Sequence, residues 1–599
     1  MRRLYLPLMP SPLPSSFITR PAIHAGTVAL IAGIIYFVTR APGVMYTDSG
    51  ELAAAAATLG VAHPTGYPLF VLIGHLWSLL PWSSTIDGMN IFAGVVTASA
   101  VGMTVLTIDL ILRRMFDSRS SSLSASEMSL FLADAGALLL AMAPIVWAQG
   151  TSIEVYGLNL LLITTALYCV LRASVETNAY RWIVTTSFVV GLMLTNHISS
   201  LFLTVGFLTI LSSSPAFSFR KMWPYIFLPA ILPLALYAYL PLRSAQIPPL
   251  NWGMTHLGVF EFFYHIKGSQ YGVWLFSDKE AAGENVRLLG VSLSEMLLWI
   301  GWIPVAAGLV MSWIRIRRVM LGLLLVIVGN LAISLGYSIP DIDSYFLPTL
   351  LISAIFFAIG TYALISLRTY SGRLASIALI LPVFGILRTW PEADLSSHRA
   401  VPLYTQWALE NADSNAIVIS RQWDYLLSSL WYEREVEHRR TDVVVIEKEL
   451  LRRTWYIPYL QERFADVVAP AQQAIDRYLP LCRQFNEDSD DFMKSRTAVI
   501  DIQSRWIGVL QAIIEGNIDK RPVYITPEIL SEERDVIQGY NVVREGPLLR
   551  LRRTSDTTLP DVSKDFLATQ VLETLKGRNG RLDSALQVVV MSLTQQPGR

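Results

Sequence analysis

Charged residues are scarce in this chain. Asp, Glu, Lys and Arg make up 16% of its 599 residues, whereas hydrophobic residues make up 53%. Soluble proteins carry about 25% charged residues, so this composition excludes a wholly soluble chain. Long runs with almost no charge fill residues 23–390, while residues 391–599 have the composition of a soluble protein. The sequence therefore predicts a membrane domain at 1–390 and an aqueous domain at 391–599.

Three further absences narrow the class of protein. Cys482 is the only cysteine of the aqueous domain, which excludes a disulfide within that domain. No Asn-x-Ser/Thr sequence occurs, and together with the two cysteines of the whole chain this favours a bacterial envelope over a eukaryotic secretory compartment. The aqueous domain has no Gly-rich phosphate loop, so no nucleotide site is indicated. A net charge of zero does not indicate nucleic-acid binding.

Apolar runs predict a polytopic α-helical membrane protein with about eleven transmembrane helices, at 23–39, 90–112, 129–144, 155–171, 182–195, 198–212, 223–240, 291–312, 319–337, 346–366 and 374–390. The first run lacks a small-residue cleavage site and is interpreted as a retained signal anchor. A further run, 67–81, is short and bounded by prolines, which favours an interfacial or re-entrant helix. The short runs 182–195 and 198–212 predict a hairpin of irregular helices, with one long tilted helix as the alternative.

The positions of Lys and Arg predict the orientation in the membrane. If 67–81 does not cross, the basic residues of the tail and loops fall on one side, namely Arg2, Arg3, Arg20, Arg113, Arg114, Arg119, Arg172, Arg181, Arg220, Lys221, Arg315, Arg317, Arg318, Arg368 and Arg373. The short loops predicted on the other side contain no Lys or Arg. Because basic loops stay in the cytoplasm, the amino terminus is predicted to be cytoplasmic. The long loop 241–290 and the aqueous domain are then outside.

This orientation places the unusual polar residues of the membrane domain at outer helix ends or in outer loops, where they are predicted to share a cavity: Asp48, Glu51, His63, Glu154, Asn196, His197, Arg243, Asp341 and Asp343. Asp48 and Glu51 are three residues apart at the start of an alanine-rich helix, so both carboxylates can face the same way. Two interpretations remain open. The pair caps the amino terminus of that helix, or one carboxylate takes a proton from an acceptor hydroxyl.

The remaining polar residues also have two interpretations each. Arg243 follows a predicted span and is either an anchor at the membrane edge or a forked donor to the phosphate of a lipid carrier. His63 and His197 are candidates for binding the same phosphate, and a structural role is the alternative for each. Asp341 and Asp343 are candidates for holding a divalent cation, although two carboxylates without further ligands are a weak metal signal.

Several motifs across the membrane domain resemble a family of membrane proteins that is classed as a domain of unknown function. That family includes a eukaryotic protein O-mannosyltransferase and bacterial members, and it is part of the C-type glycosyltransferase superfamily. The motifs are Thr47-Asp48-Ser49-Gly50-Glu51-Leu52, Gly60-Val61-Ala62-His63-Pro64-Thr65-Gly66-Tyr67-Pro68-Leu69, Glu154-Val155-Tyr156-Gly157-Leu158-Asn159, Asn196-His197, Leu240-Pro241-Leu242-Arg243-Ser244, Asn251-Trp252-Gly253 and Ile339-Pro340-Asp341-Ile342-Asp343-Ser344-Tyr345.

The resemblance implies a sugar donor linked to polyprenyl phosphate, an acidic base in the first outer loop, and interfacial helices in that loop, here 48–81. By this analogy Asp48 is the base and Glu51 its partner, with Glu154, Asn196 and Trp252 as further site candidates. Related mannosyltransferases carry adjacent Asp and Glu, whereas two residues separate them here, which puts the role of Glu51 in question. The implied function is glycosyl transfer to an acceptor hydroxyl on the outer face of a bacterial inner membrane, such as protein O-glycosylation.

The aqueous domain alternates short apolar strands, at 416–419, 442–446 and 522–525, with amphipathic stretches, which predicts a small α/β fold. It is interpreted as a cap over the membrane cavity, with acceptor recognition as the alternative. Residues 560–595 predict a helical hairpin.

Two other functions fit an outer polar cavity, namely a transporter or flippase of polyprenyl-linked lipid and an inactive envelope-assembly protein. Transporters usually show internal repeats and midplane sites, and the sequence shows neither.

Overall fold

The structure is a computed structural model that describes residues 16–116, 123–176, 178–214, 217–276, 279–339, 341–366 and 378–555. The helical hairpin predicted at 560–595 lies outside the described residues. So do five of the basic residues used to predict the orientation: Arg2, Arg3, Arg119, Arg368 and Arg373.

The membrane domain is built from helices, because its apolar runs are long and Leu-, Ala- and Ile-rich, and helices satisfy every backbone hydrogen bond within one segment. In chain order they are α1 Ser16–Thr39, α2 Ser49–Thr58, α3 Pro68–Ser78, α4 Thr85–Phe116, α5 Leu123–Ala141, α6 Pro144–Thr151, α7 Val155–Val175, α8 Tyr180–Asn196, α9 Thr204–Leu211, α10 Phe219–Leu234, α11 Tyr239–Ser244, α12 Val259–Ile266, α13 Lys279–Met296, α14 Trp302–Ser334, α15 Leu347–Ser366 and α16 Ile380–Ala393.

Six helices of the described residues are long and apolar enough to cross a membrane, and a bent pair, Glu127–Ala141 with Pro144–Thr151, makes seven if counted as one span. The chain is therefore an integral membrane protein. The finer count of about eleven spans stays a prediction. The segment 67–81 is not among the six candidates, since α3 is one of the shorter apolar helices.

Two predicted pairs of spans are separated by residues that leave the helical conformation. His197 is extended, with φ −155° and ψ 115°, and it ends α8 before a short 3₁₀ turn leads into α9. Ile316 has φ −137° and ψ 45°, so α14 is two helices that meet there. The first half of α14 packs through Gly308 on Phe356 of α15, and the second half packs through Gly322 on α9. These breaks lie between the predicted spans 182–195 and 198–212 and between 291–312 and 319–337. The predicted span 291–312 is itself interrupted, because α13 ends at Met296 and α14 begins at Trp302.

The helix ends predicted to be cytoplasmic lie together. Arg114 at the end of α4 donates hydrogen bonds to the hydroxyls of Ser174 (2.6 Å), in the last turn of α7, and Ser213 (3.3 Å), just after α9. Arg318, next to the break in α14, donates to the backbone carbonyl of Ser212 (3.2 Å). Basic residues that are far apart in sequence therefore gather at one end of the bundle.

The aqueous domain is an α/β fold around a five-stranded sheet of order β2-β1-β3-β5-β4. Its strands are β1 Ile417–Ser420, β2 Val444–Glu447, β3 Val523–Ile525, β4 Tyr540–Glu545 and β5 Leu548–Arg553, and its helices include α17 Ala400–Asn411, α18 Ser428–Glu435, α19 Tyr456–Arg463, α20 Ala465–Val468, α21 Gln472–Glu487, α22 Ser489–Lys494, α23 Arg496–Asn517 and α24 Glu528–Glu532. The first three strands are parallel, and β5 pairs antiparallel with β3 and β4.

The three strands predicted from the sequence are β1, β2 and β3, so the small α/β fold is confirmed. The hairpin of β4 and β5 was not predicted. Its two-residue turn contains Gly546 at φ 62°, in the left-handed region where glycine is tolerated. The predicted domain boundary at 391 stays a prediction, and α16 crosses it to end at Ala393.

Reporter fusions test the orientation. We expect fusions placed after Pro81 and after Arg399 both to report the non-cytoplasmic side, because basic loops are retained in the cytoplasm and 67–81 is predicted not to cross. A fusion after Phe116, at the basic end of α4, should report the cytoplasm and serves as the control. A cytoplasmic signal after Pro81 or after Arg399 would contradict this orientation.

Candidate active site

A cavity of about 840 Å³ lies where the outer loops of the membrane domain meet the aqueous domain. One part of its wall is apolar and comes from membrane-domain residues that include Leu201, Phe202 and Phe276. These three side chains are exposed, as expected where a cavity opens towards lipid. The charged part of the wall comes from both domains: Asp48, His63, His197, Lys267, Asp341, Arg421, Asp424, Glu447, Glu449, Arg452 and Arg453.

Asp48 precedes α2, and its backbone oxygen accepts the hydrogen bond of Leu52 N (2.8 Å). Its side chain, however, makes no capping hydrogen bond to that helix. Instead Oδ1 accepts a hydrogen bond from Nε1 of Trp423 (2.6 Å), and Oδ2 lies 3.6 Å from Nε2 of His63. The interpretation of this carboxylate as a side-chain cap is therefore wrong. Asp48 lines the cavity, where an acceptor hydroxyl can reach it.

Glu51 has no exposed surface and does not line the cavity. Its Oε1 accepts from the backbone N–H of His63 (3.0 Å), and its Oε2 accepts from Nδ1 of the same residue (2.8 Å). The three-residue spacing does turn both carboxylates to one side, as predicted, and they meet on opposite nitrogens of His63. Glu51 therefore holds the His63 loop from behind, while Asp48 faces the cavity.

His63 is held as a cation between these two acids. Burial lowers its pKa, but the carboxylates of Asp48 and Glu51 outweigh burial and raise the pKa to about 10. Burial also raises the pKa of Glu51, and the imidazolium of His63 opposes that shift. The hydroxyl of Tyr67 lies 3.0 Å from Nε2. The imidazolium is thus a fixed positive charge beside Asp48.

The other predicted site residues divide into those that line the cavity and those that support it. His197 and Asp341 line it. Burial and the charge of His63 lower the pKa of His197 to about 4, so this histidine is neutral. Burial and the charge of Asp48 raise the pKa of Asp341 to about 7. Asp343 is not a lining residue.

Glu154 and Asn196 support the cavity from behind, and Trp252 forms part of its wall. Asn196 donates to the backbone carbonyl of Val155 (3.1 Å), which ties the end of α8 to the start of α7. Glu154 precedes α7, and burial together with the charge of Asp48 raises its pKa. Trp252 lines the cavity and meets the ring of His63 edge to face, with 6.1 Å between centroids.

Arg243 does not line the cavity, which favours the predicted role of an anchor over that of a phosphate ligand; the phosphate assignment stays a prediction. Its Nε donates to the backbone carbonyl of Leu59 (2.6 Å), its Nη2 to that of Thr58 (3.0 Å), and its Nη1 to Gln246 (2.5 Å). The carbonyls at the end of a helix lack partners within the helix and carry a partial negative charge. Arg243 therefore caps the carboxy end of α2, the helix that follows Asp48.

Arg243→Ala should lower thermal stability without changing donor affinity, because it removes two charge-assisted bonds worth about 1.5 to 3 kcal/mol and no cavity contact. The midpoint of thermal unfolding and the donor KM are the measurements. Gln246→Ala is the matched control, since it removes only the side-chain partner. A donor KM raised about tenfold or more in Arg243→Ala would restore the phosphate assignment.

Sequence reasoning missed the residues that the aqueous domain contributes to the wall. Asp424 follows β1, and Glu447 ends β2, so both lie at the carboxyl edge of the parallel strands. Open α/β sheets bind ligands at that edge. This rule could have identified Asp424 and Glu447 as cavity residues from the sequence. Burial and the charge of Asp48 raise the pKa of Asp424 to about 6, while burial and the charge of Glu449 raise the pKa of Glu447 to about 8.

Among the described residues, one group of three side chains has ligand-type atoms close enough to share a metal ion: Asp48, Glu51 and His63, within 4.8 Å of one another. The divalent-cation site predicted at Asp341 and Asp343 is made of different residues from this group. Both nitrogens of His63 already face a carboxylate, at 2.8 Å and 3.6 Å. A metal ion here would need a lone pair on one of these nitrogens, and a protonated imidazole has none.

Comparison with known proteins agrees with the predicted resemblance. Residues 48–217 match the family model described as the protein O-mannosyl-transferase TMEM260 N-terminal domain, and residues 404–479 match TMEM260-associated domain 2. The protein O-mannosyl-transferase TMEM260 of Mus musculus is 23% identical over 492 residues, which cover 76% of this chain and 66% of that protein. The tmem260 protein of Dictyostelium discoideum is 46% identical over 54 residues, 9% of this chain and 7% of that protein.

A solved structure has the same fold. ArnT from Cupriavidus metallidurans, crystallised with undecaprenyl phosphate, superposes with a TM-score of 0.50 at 10% identity, covering 90% of this chain and 99% of that chain. The chain thus spans about two thirds of the mouse relative and nearly all of the bacterial structure. The predicted resemblance to a family that includes a eukaryotic protein O-mannosyltransferase is confirmed, and the fold is that of the ArnT structure.

Proposed function

We propose that this chain, which carries two TMEM260-type domains, transfers a sugar from a polyprenyl-phosphate donor to a hydroxyl group, with a protein side chain as acceptor. The observation that carries the proposal is Asp48, a carboxylate open to a cavity with one apolar and one charged wall. Mannose is the proposed sugar, since the mouse relative is named a protein O-mannosyl-transferase.

In the proposed reaction, a carboxylate oxygen of Asp48 takes the proton of the acceptor hydroxyl as its oxygen attacks the anomeric carbon. A new bond forms between the acceptor oxygen and that carbon. The bond from the carbon to the carrier phosphate breaks, and the phosphate leaves with the electron pair. The ring of His63 lies 3.6 Å from Asp48, so its positive charge attracts the carboxylate of the base.

For the donor, we propose that the isoprenoid lies along the apolar wall at Leu201, Phe202 and Phe276, and that Lys267 faces the phosphate. Lys267 lines the cavity, and no ion pair occupies it within the described ranges. An unpaired ammonium in a cavity is suited to a phosphate. His63 and His197 stay candidates for contacts with the sugar or phosphate, because both line the cavity.

We also propose the finer arrangement in the membrane: about eleven crossings, a cytoplasmic amino terminus, and a cavity on the non-cytoplasmic face of a bacterial inner membrane. The basic ends of the helices support the orientation. The scarcity of cysteine and of Asn-x-Ser/Thr sequences supports the bacterial envelope.

A transfer assay tests the proposed function. The full chain in lipid nanodiscs is incubated with polyprenyl-phosphate mannose and a Ser/Thr-rich peptide, and the product is identified by mass spectrometry. We expect a mannosylated peptide, and none when the Ser and Thr of the peptide are replaced by Ala. Transport of the intact donor across proteoliposomes without glycopeptide would support the flippase alternative instead.

We propose further that His63, rather than a divalent cation, balances the charge of the acids at the base. Transfer should then proceed in EDTA at the rate seen without it, because the imidazolium occupies the position between Asp48 and Glu51. Matched reactions with added Mg²⁺ or Mn²⁺ are the control. Loss of transfer in EDTA and recovery with either ion would contradict this proposal.

A further inference from the structure

The aqueous domain contacts the first outer loop at the residues that carry the base. The backbone N–H of Thr47 donates to the carbonyl of Asp424 (2.9 Å), and the backbone N–H of Glu51 donates to the hydroxyl of Ser428 (2.9 Å). A side chain at Gly50 would collide with the backbone of Ser428. These contacts hold both sides of Asp48 against one short segment of the aqueous domain.

Trp423 comes directly before that segment, which runs from Asp424 to Ser428, and reaches Asp48 itself. Its indole N–H donates to Oδ1 over 2.6 Å, a short bond of the kind formed with a charged acceptor. The ring is held between Trp252 and Trp431, each with its centroid 5.4 Å away. Trp423 is also only three residues beyond the end of β1. The donor is therefore fixed by a strand end and by two packed rings.

We infer that Trp423 is a positioning residue for the base Asp48, so that the aqueous domain completes the catalytic site instead of only covering it; this inference rests on the proposed function. The indole occupies Oδ1 and fixes the plane of the carboxylate. Oδ2 then remains for the acceptor hydroxyl, on the side that faces His63.

The indole bond matters because the contact of Asp48 with His63 is longer. Nε2 of His63 lies 3.6 Å from Oδ2, beyond the usual length of a hydrogen bond. Removing the indole N–H should therefore leave the plane of the carboxylate free to turn, so that Oδ2 is less often aligned with the acceptor hydroxyl.

The kinetics of Trp423→Phe test the inference. Phe keeps most of the ring packing but has no N–H donor. We expect kcat to fall about tenfold, because the base is less well aligned with the acceptor hydroxyl. The donor KM should change little. Trp431→Phe is the matched control, since it truncates a ring of the same cluster without a bond to Asp48.

Two outcomes would overturn the inference. In one, Trp423→Phe keeps the kcat of the wild type. In the other, Trp431→Phe lowers kcat equally, which would make packing the cause.

An indole N–H spectrum of the wild-type chain separates this inference from the proposed function, because it needs no turnover and no variant at 423. The chain has sixteen tryptophans. The indole N–H resonance of one of them should lie downfield because of its short hydrogen bond, and it should move upfield in Asp48→Asn. If the wild type transfers no sugar but this resonance responds to Asp48→Asn, the contact holds and the proposed function alone is wrong. If no indole resonance responds, Trp423 does not position Asp48.

Discussion

Asp48→Asn is expected to lower the rate of sugar transfer by about 100-fold to 10,000-fold, which is the rate enhancement that general-base catalysis usually supplies. An amide has nearly the shape of the carboxylate and can still accept the hydrogen bond of Trp423, but it cannot take the acceptor's proton. The folded protein should accumulate normally and bind donor as the wild type does. Turnover, donor affinity and the midpoint of thermal unfolding are measured on the same preparation.

Asp341→Asn is the matched comparison for that experiment. Asp341 lines the same cavity, and burial with the charge of Asp48 raises its pKa to about 7, so much of it is already uncharged near neutral pH. We expect a much smaller loss of turnover from Asp341→Asn than from Asp48→Asn. If Asp48→Asn keeps near-normal turnover while Asp341→Asn abolishes it, the base is Asp341.

His63→Ala is expected to cause the largest loss of stability. It leaves Glu51 buried without its partner, and breaking a buried ion pair typically costs about 3 to 5 kcal/mol. Transfer should fall as well, because the loop that carries Asp48 loses the residue that both acids contact. The midpoint of thermal unfolding is the measurement. The double variant Glu51→Leu/His63→Ala should recover much of the stability, since it leaves no unpaired buried charge.

The same ion pair predicts a pH dependence with a definite sign. The pKa of His63 is about 10 in the folded protein and about 6.5 in an unfolded chain. Its stabilising contribution is therefore complete below about pH 6.5 and is lost as the pH rises through 10. The unfolding midpoint of the wild type should fall between these values more than that of His63→Ala. Parallel pH curves for the two proteins would show that His63 is not held as a cation.

The residues that sequence reasoning grouped correctly share one feature. Asp48, His63, His197 and Asp341 all lie at helix ends or in loops that are predicted to be outer, and the orientation predicted from basic loops was enough to put them on one face. The structure brings these four to the cavity. Their spacing in the sequence did not show which of the acids would face the cavity. Glu51 is turned behind His63 because it accepts two bonds from that residue.

The position of Arg243 in the sequence does not determine which groups its side chain binds. A guanidinium at the outer end of a helix can turn towards a ligand or towards another part of the protein. Here its acceptors are the carbonyls of Thr58 and Leu59, about 184 residues earlier in the chain. No local pattern around Arg243 indicates that the carboxy end of α2 lies beside it.

The contact of Trp423 with Asp48 joins the two domains, and it could not be predicted from local sequence either. It lies 375 residues from Asp48, and the sequence of the aqueous domain predicts strands and amphipathic stretches without their position over the cavity. The parallel strands β1 and β2 were predicted, and ligands bind at the carboxyl edge of such strands. Applying that rule would have selected the residues that follow β1 and end β2.

A structure of the chain with a non-hydrolysable polyprenyl-phosphate mannose analogue and an acceptor peptide would test the central claim most directly. The proposal predicts the acceptor hydroxyl within hydrogen-bond reach of Asp48 and roughly 3 to 3.5 Å from the anomeric carbon. It also predicts the phosphate at Lys267 and the isoprenoid along Leu201 and Phe202. A donor bound elsewhere, with its anomeric carbon far from Asp48, would contradict the account.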